Sequence, residues 1–271
     1  MKKEKNCFKG SCADCGRELR YAIGNIADMH SHLLPCVDDG SKSVEETLSM
    51  LSAAYAQGVR TVVASPHFYA DRETPEEFLL RRKRSVDALI AGGYSPENGY
   101  PALYLGAEVA FFSGMARSSS LHSLCIGGGK GILIEMPFER WTEGVISEVL
   151  AIREALGLRP IIAHIERYIK YQKRGVLGRL IEGGVLIQSN AEYFIEKKTA
   201  KKALKLLLQG GIHLLGSDAH GLSERVPNLG EGICIIDGHK YGEQMLIDIV
   251  ECSRYILKKA VPISVATAAT V

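Results

Sequence analysis

The chain has 271 residues, 46% of them apolar, which is enough for one large buried core and is a common length for a barrel-type domain. A net charge of +2 gives no electrostatic case for a nucleic-acid partner. The basic N-terminus, MKKEKNCFKGSCADCGRELR, lacks the apolar stretch of a secretory signal, and no apolar run approaches the ~20 residues of a membrane span. A soluble cytoplasmic protein without membrane insertion is expected.

Strands and helices alternate along the chain. GNIADMH predicts a first strand. SVEETLSMLSAAYAQG predicts a helix with Val44, Leu48, Leu51 and Tyr55 on one face, a capping box from Ser43 and Glu46, and Gly58 at its end. RTVVASPH is the second strand. Thr74, Pro75 and Glu77 open a second helix that runs to about Ala91. ALYLGAE and the β-branched GILIEMP are the third and fourth strands. A helix with Val145, Val149, Ile152 and Leu156 on one face leads to RPIIAHIER, the fifth. Further helices lead to GVLIQSN and GIHLLGSDAH, the sixth and seventh, and GEQMLIDIVECSRYILKKA closes the chain as a helix. The tail AVPISVATAATV is small and apolar, an ordered or frayed end.

Near-continuous apolar strands alternating with helices describe a parallel sheet buried on both faces. The closed solution is a distorted seven-stranded (β/α)7 TIM-like barrel, and an open doubly wound sheet is its alternative. Residues 23–271 are expected to form this one domain. Residues 1–22 are expected to be a flexible extension carrying Cys7, Cys12 and Cys15. Cys12 and Cys15 have the spacing of half a zinc site, so an intermolecular metal clip is the alternative to spare thiols. Cys36, Cys125, Cys234 and Cys252 are scattered and read as small apolar residues.

The chemistry sits where the strands end. His30 and His32 close the first, with Asp38 and Asp39 just beyond. His67, Glu108, Glu135 and His164 close the second to fifth, Glu166 and Arg167 follow His164, and Asp218 and His220 close the seventh. The sixth offers Gln188 and Asn190. In a parallel barrel these ends converge on one mouth, where active sites are built. One histidine at a strand end is ordinary; six strands aiming His, Asp or Glu at one point are not. Unless cations held them together, these groups would repel or stay unsatisfied. Mixed imidazole and carboxylate ligands suit Zn, Fe or Mn, and nine candidates suggest two or three ions bridged by carboxylate.

The segments DMHSHLLPCVDDGSKSVEETLSML, TVVASPHF, LGAEVAF, ILIEMPF, PIIAHIERY and LGSDAH resemble the motif series of the PHP (polymerase and histidinol phosphatase) superfamily. More narrowly, they resemble the bacterial manganese-dependent protein-tyrosine phosphatases of capsule and exopolysaccharide operons. The match runs from about Asn25 to Arg225. It implies a PHP-type barrel with a trinuclear site. His30, His32, Glu108 and Asp218 would hold one ion, and Asp39, His67 and His220 a second. Glu108 would bridge to a third, completed by Glu135 and His164. Asp38 stands as the alternative to Asp39. The resemblance also implies Arg167 and Arg225 at the phosphate, with a solvated loop charge as the alternative for Arg225. Cys36 and the cysteine-bearing extension depart from the family pattern without touching an implied ligand.

The reaction so implied is hydrolysis of phosphotyrosine on a bacterial tyrosine autokinase that regulates polysaccharide export. Metal ions would make hydroxide available at neutral pH, and arginines would neutralise the phosphoryl oxygens. No cysteine has arginine six positions on, so the cysteine-phosphatase mechanism is absent. Alternatives are a small-molecule phosphoesterase of the histidinol-phosphate type, an amidohydrolase, and a metal-binding regulator without turnover. Family relatives often associate, which leaves a homo-oligomer open. Gly127–Lys130 reads as a turn, since Gly131 replaces the Ser or Thr of a phosphate loop. Arg81–Arg84 reads as a solvated helix face, and His213 as a residue of the core or barrel bottom. His122 and His239 receive no role, and Phe68 and Tyr168 are candidates to pack against an aryl substrate, with plain packing as the alternative.

Overall fold

Nine strands, all paired in parallel, are found among residues 26–264, which the structure, a computed structural model, describes. They are β1 (Ala27–Ser31), β2 (Thr61–Ala64), β3 (His67–Phe68), β4 (Ala102–Leu105), β5 (Glu108–Ala110), β6 (Gly131–Glu135), β7 (Arg159–Ile162), β8 (Leu186–Asn190) and β9 (Leu214–Gly216). The hydrogen-bonded orders are β1-β2-β4 and β3-β5-β6-β7-β8-β9.

The second and third strands expected from sequence are each broken in two. Pro66 has no amide to donate to a ladder, so pairing stops there. Gly106 N still donates to Ala64 O at 2.8 Å, and Glu108 N is shared between Ser65 O and Pro66 O. The two chains therefore stay side by side across the break and restart with His67 directly opposite Glu108. That restart places the two side chains together at the mouth.

The last strand returns to the first. Asp218 N donates to His30 O and His32 N to Ala219 O, both at 2.8 Å. Ser31 also bridges Ala219 in parallel. The sheet is thus curled, with its first and last strands in contact, which an open doubly wound sheet does not allow. The fold is mixed α/β around a curled parallel sheet.

Alternation along the strands builds two cores. Ala27, Met29, Val63, Leu133, Ile161 and Leu214 share one cluster. Their neighbours Val62, Leu103, Ile132, Ile134, Ile162 and Leu215 join the larger one, with the helices. The long helices are α1 (Val44–Ala56), α2 (Pro75–Ala91), α3 (Glu143–Leu156), α4 (Ala200–Leu208), α5 (Leu229–Asp237) and α6 (Gly242–Leu257). None is long and apolar enough to cross a membrane. Ile256 of α6 joins the smaller cluster at the N-terminal end of β6, where a Cβ on Gly131 would lie only 2.8 Å from its Cγ2.

Helix α2 has the bounds and complete capping box that Thr74, Pro75 and Glu77 predict. At α1, Ser43 caps Glu46 N, but the Glu46 carboxylate accepts from Lys42 N, so the box is displaced by one residue. The buried face of α1 is Thr47, Met50, Leu51 and Ala54, not the predicted set. Thr47 is buried because its hydroxyl donates to Leu33 O at 2.7 Å and so ties the helix to the loop after β1. The predicted solvated face at Arg81–Arg84 is also corrected. Arg81 reaches Val37 O and Glu73, and buried Arg82 donates to Gly106 O at the break in the third strand. In the tail, Ile263 N pairs with Leu103 O on β4. The extension with Cys7, Cys12 and Cys15, and the tail beyond Ser264, lie outside the described residues.

Candidate metal centre

His30 on β1 and His32, the first residue beyond it, are two apart in extended chain and so turn to the same side, and both are fully buried. Their Nε2 atoms lie 3.0 Å apart. The other ring nitrogens are anchored: His32 Nδ1 is 2.7 Å from Asp38 Oδ2, and His30 Nδ1 is 3.2 Å from Gln188 Oε1. Gln188 Oε1 also accepts from His164 N at 2.6 Å. Anchoring one nitrogen aims the other inward, which is how metal-binding histidines are usually oriented.

The loop after β1 separates the two aspartates. Asp38 accepts from Gly40 N at 2.9 Å, from His67 N at 3.0 Å and from His32, so its oxygens are occupied. Asp39 is 64% exposed, with Oδ1 3.4 Å from His220 Nε2 and 3.6 Å from His67 Nε2. The loop needs glycine at position 40, where a Cβ would sit 1.8 Å from His32 O. Cys36 occupies the left-handed region at φ 58 and donates its thiol to Lys42 O.

Glu108 lies at the centre. Its Oε2 is 3.2 Å from His30, 3.1 Å from His32 and 3.1 Å from His67, and its Oε1 is 2.7 Å from His164. Asp218 Oδ1 is 3.6 and 3.4 Å from the Nε2 atoms of His30 and His32. Glu135 stands at the edge, 3.9 Å from His164. Three groups have donor atoms close enough to share an ion: His32, Asp39, His67 and His220; His30, His32 and Asp218; and His67, Glu108 and Glu135. Eight of the nine residues singled out in the sequence fall in these groups, with His32 and His67 each in two; His164 is in none of them and joins the cluster through Glu108, 2.7 Å away. His67 and Glu108 open strands and do not close them.

Arg167 Nη2 is 2.6 Å from Asp218 Oδ2, and Arg225 Nη2 is 2.5 Å from Asp218 Oδ1. Arg225 Nη1 is also 2.8 Å from His220 Nε2. Four non-glycine residues among those described have positive φ, and three of them are His164, Asp218 and Arg225. Strained backbone of this kind costs roughly 1–3 kcal/mol per residue and gathers where geometry matters more than stability.

Glu108, Asp218, His67, His164 and His220 favour the forms a ligand needs, whereas His30, His32 and Glu135 are pushed toward their protonated forms and must release a proton to bind a cation. Burial pushes Glu108 and Asp218 upward, but the surrounding histidines outweigh it and hold both well below the usual carboxylate range. Burial, then the charge of His32, lowers His67; burial also lowers His164; His220 falls to about 4 through burial, His32 and Arg225. At His32 burial is outweighed by Asp38 and Glu108, which raise it to about 10, and Glu108 and Asp218 likewise raise His30. Ionised carboxylates and neutral imidazoles are the forms a cation takes up. Glu108 Oε2, Asp218 Oδ1, His67 Nδ1 and His164 Nδ1 are buried without an aligned hydrogen bond, despite the close nitrogens around the two carboxylates. Such atoms are costly to bury unless something shares them, so the donor set fits divalent cations.

The sequence pattern of the capsular polysaccharide synthesis family CpsB/CapC matches residues 26–257. The chain belongs to the CpsB/CapC family. The tyrosine-protein phosphatase CpsB of Streptococcus agalactiae serotype V is 30% identical over 241 residues, which cover 82% of this chain and 96% of the relative. Its namesake in Streptococcus pneumoniae is 32% identical over 239 residues, covering 80% and 91%. Tyrosine-protein phosphatase YwqE of Bacillus subtilis is 26% identical over 242 residues, covering 86% and 92%. A solved chain from the crystal structures of YwqE and pneumococcal CpsB, described as metal-dependent tyrosine phosphatases, superposes with a TM-score of 0.75. It is 24% identical, covers 88% of this chain and all of its own length, and establishes the shared fold.

Three residues that the sequence places at this CpsB/CapC site without a supporting role gain one here. Asp38 holds His32, and only its place in a tandem pair hints at it. Gln188 holds His30 and His164, and Asn190 donates to Asp218 Oδ2 at 2.8 Å. The aromatic expectations shift by one element. Phe68 is buried against Phe78, and Tyr168 is buried with its hydroxyl accepting from Met136 N. The ring at the rim is Phe138, 53% exposed and stacked 6.2 Å from His164 at 19°. His213, as expected, lies before the strand end, and accepts from Ile187 N.

Proposed function

We propose that this chain is a metal-dependent protein-tyrosine phosphatase acting in the cytoplasm on a phosphotyrosine protein, a bacterial tyrosine autokinase that controls capsule and exopolysaccharide synthesis. The observation that carries this reading is a buried imidazole–carboxylate cluster with two guanidinium groups at its rim, in a chain of the CpsB/CapC family. Counting β2 with β3 and β4 with β5 as single interrupted strands gives the (β/α)7 barrel, with residues 23–271 as its domain.

The metal ligands in this reading are His30, His32, Asp39, His67, Glu108, Glu135, His164, Asp218 and His220, holding two or three Mn2+ ions; zinc or iron would suit the same donors. Ions bound there supply Lewis acidity to water and to the phosphoryl oxygens. Arg167 and Arg225 are about one-third exposed, so their planar forks reach the rim and can take phosphoryl oxygens through paired hydrogen bonds. Their contacts with Asp218 hold both groups in position beforehand. Asp38 and Gln188 fix the rings of His32 and His30. Phe138 offers its face to the aromatic ring of the substrate beside His164. Tyrosine, with a pKa of about 10, leaves far more readily than an alkyl alcohol, so an aryl phosphate needs less help at the leaving oxygen.

The test is turnover of a tyrosine-phosphorylated peptide against histidinol phosphate, with manganese and with chelator, for wild type and His164→Ala. Preferred, chelator-sensitive hydrolysis of the peptide, lost in the variant, is expected. Preference for histidinol phosphate would move the substrate to a small ester, and no turnover of either would overturn the phosphatase reading.

A further inference from the structure

We propose that a cavity at the opposite end of the sheet from the metal centre binds a small phosphate-bearing anion with a planar ring, of the size and charge of a nucleoside diphosphate. The cavity holds about 400 Å3 and is lined by Lys130, Arg153, Arg159, Lys258, Lys259 and the ring of Tyr255. It opens where β6 and β7 begin, whereas Glu135 and His164 lie at their far ends. Among the described residues no carboxylate lines it, and none of its lysines or arginines is in one of the ion pairs found there.

The two guanidinium groups are placed by the fold. Both converge on Gly184, which has φ +83: a Cβ there would lie 2.4 Å from Arg153 Nη1 and 2.8 Å from Arg159 Nη1. Arg159 donates to Gly184 O at 2.7 Å and to the Tyr255 hydroxyl at 3.0 Å, and Arg153 reaches Gly183 O at 3.4 Å. Each guanidinium has five N–H donors, so several remain for a ligand. Leu158 and Ile256 give the cavity an apolar floor, and Tyr255 is 58% exposed.

Basic residues also gather at helix C-termini to balance the backbone dipole, and α3 and α6 both end here. Two such ends amount to about one negative charge, against five cations. The surplus of about four positive charges calls for an anion carrying more than one charge. Arginine forks favour phosphate, and the volume lies in the range of small-ligand sites, roughly 300–1,000 Å3. One phosphate would leave the exposed Tyr255 ring uncovered, and a ring joined to a diphosphate covers it.

The full chain, with chelator present to keep ions from the metal centre, would be titrated calorimetrically with ADP, pyrophosphate and adenosine. ADP should bind more tightly than pyrophosphate, and adenosine not at all. Lys258→Glu with Lys259→Glu should weaken ADP roughly tenfold or more, with Tm confirming the fold, and added salt should weaken wild-type binding. Arg167→Ala with Arg225→Ala should leave ADP binding in place. The proposal fails if ADP does not bind at millimolar concentration, if binding is salt-independent, or if only the Arg167 and Arg225 variant loses it. It also fails if a single-stranded oligonucleotide outcompetes ADP at the same residues, which would make the ligand a nucleic acid. This inference does not depend on the phosphatase reading, because no turnover enters the test.

Discussion

At their C-terminal ends, β6 and β7 deliver Glu135 and His164 into a pocket where donor atoms of opposite character lie 2.7 to 3.9 Å apart. At their N-terminal ends, the same two strands begin beside Lys130 and Arg159, in a cavity whose charged lining among the described residues is all positive. Burial separates the two cases. At the mouth the groups are shut away from water, so each must be matched, and backbone strain at His164 and Asp218 is tolerated to keep them matched. At the base, water screens the cations only in part, and the surplus positive charge is left for a bound anion to balance. A charge therefore matters to this protein in proportion to how far it is buried and how many partners depend on it.

Glu108→Gln should break that contrast most severely, because one carboxylate faces His30, His32, His67 and His164. Turnover and retained metal should fall by more than the roughly 10–100-fold that an outer partner costs, measured by steady-state kinetics and metal analysis. Asp38→Asn touches one histidine from outside, and should weaken metal affinity roughly 10–100-fold in a chelator competition assay. Phe138→Ala should raise KM for a phosphotyrosyl peptide by about tenfold, the worth of one lost aromatic contact, and leave an alkyl phosphate nearly unchanged. Comparable losses on both substrates would remove Phe138 from the substrate-binding account. On stability alone, a neighbouring pair on α2 should separate, with the smallest effect of all at Lys83. Arg82→Ala, which strips a buried donor from Gly106 O, should cost about 1–3 kcal/mol in denaturant unfolding, and exposed Lys83→Ala within about 0.5 kcal/mol.

What could be read from sequence follows the same division. Helix α2 was legible to the residue because Thr74, Pro75 and Glu77 are a complete local signal. The nine clustered residues were legible because a parallel curled sheet carries every strand end to one mouth, so position along the chain implies position in space. The breaks after Ala64 and Leu105 were not: apolar character is continuous across both, and only Pro66 and Gly106 mark them. The burial of Arg82 and Thr47 was equally hidden, since each satisfies a carbonyl on a distant segment that periodicity cannot name. Nothing in the sequence separates Phe138 at the rim from Phe68 and Tyr168 in the core, because an aromatic just beyond a strand end can face either way with the same pattern. The basic cavity is assembled from four segments, and each alone resembles an ordinary solvated surface.

Anomalous scattering from crystals grown with manganese would locate the ions themselves. Two or three manganese ions are expected in the mouth, with Glu108 and Asp218 among their ligands and Arg167 and Arg225 facing the open side. Manganese found only elsewhere, or a mouth without metal in protein that still hydrolyses phosphotyrosine, would contradict the metal-dependent reading.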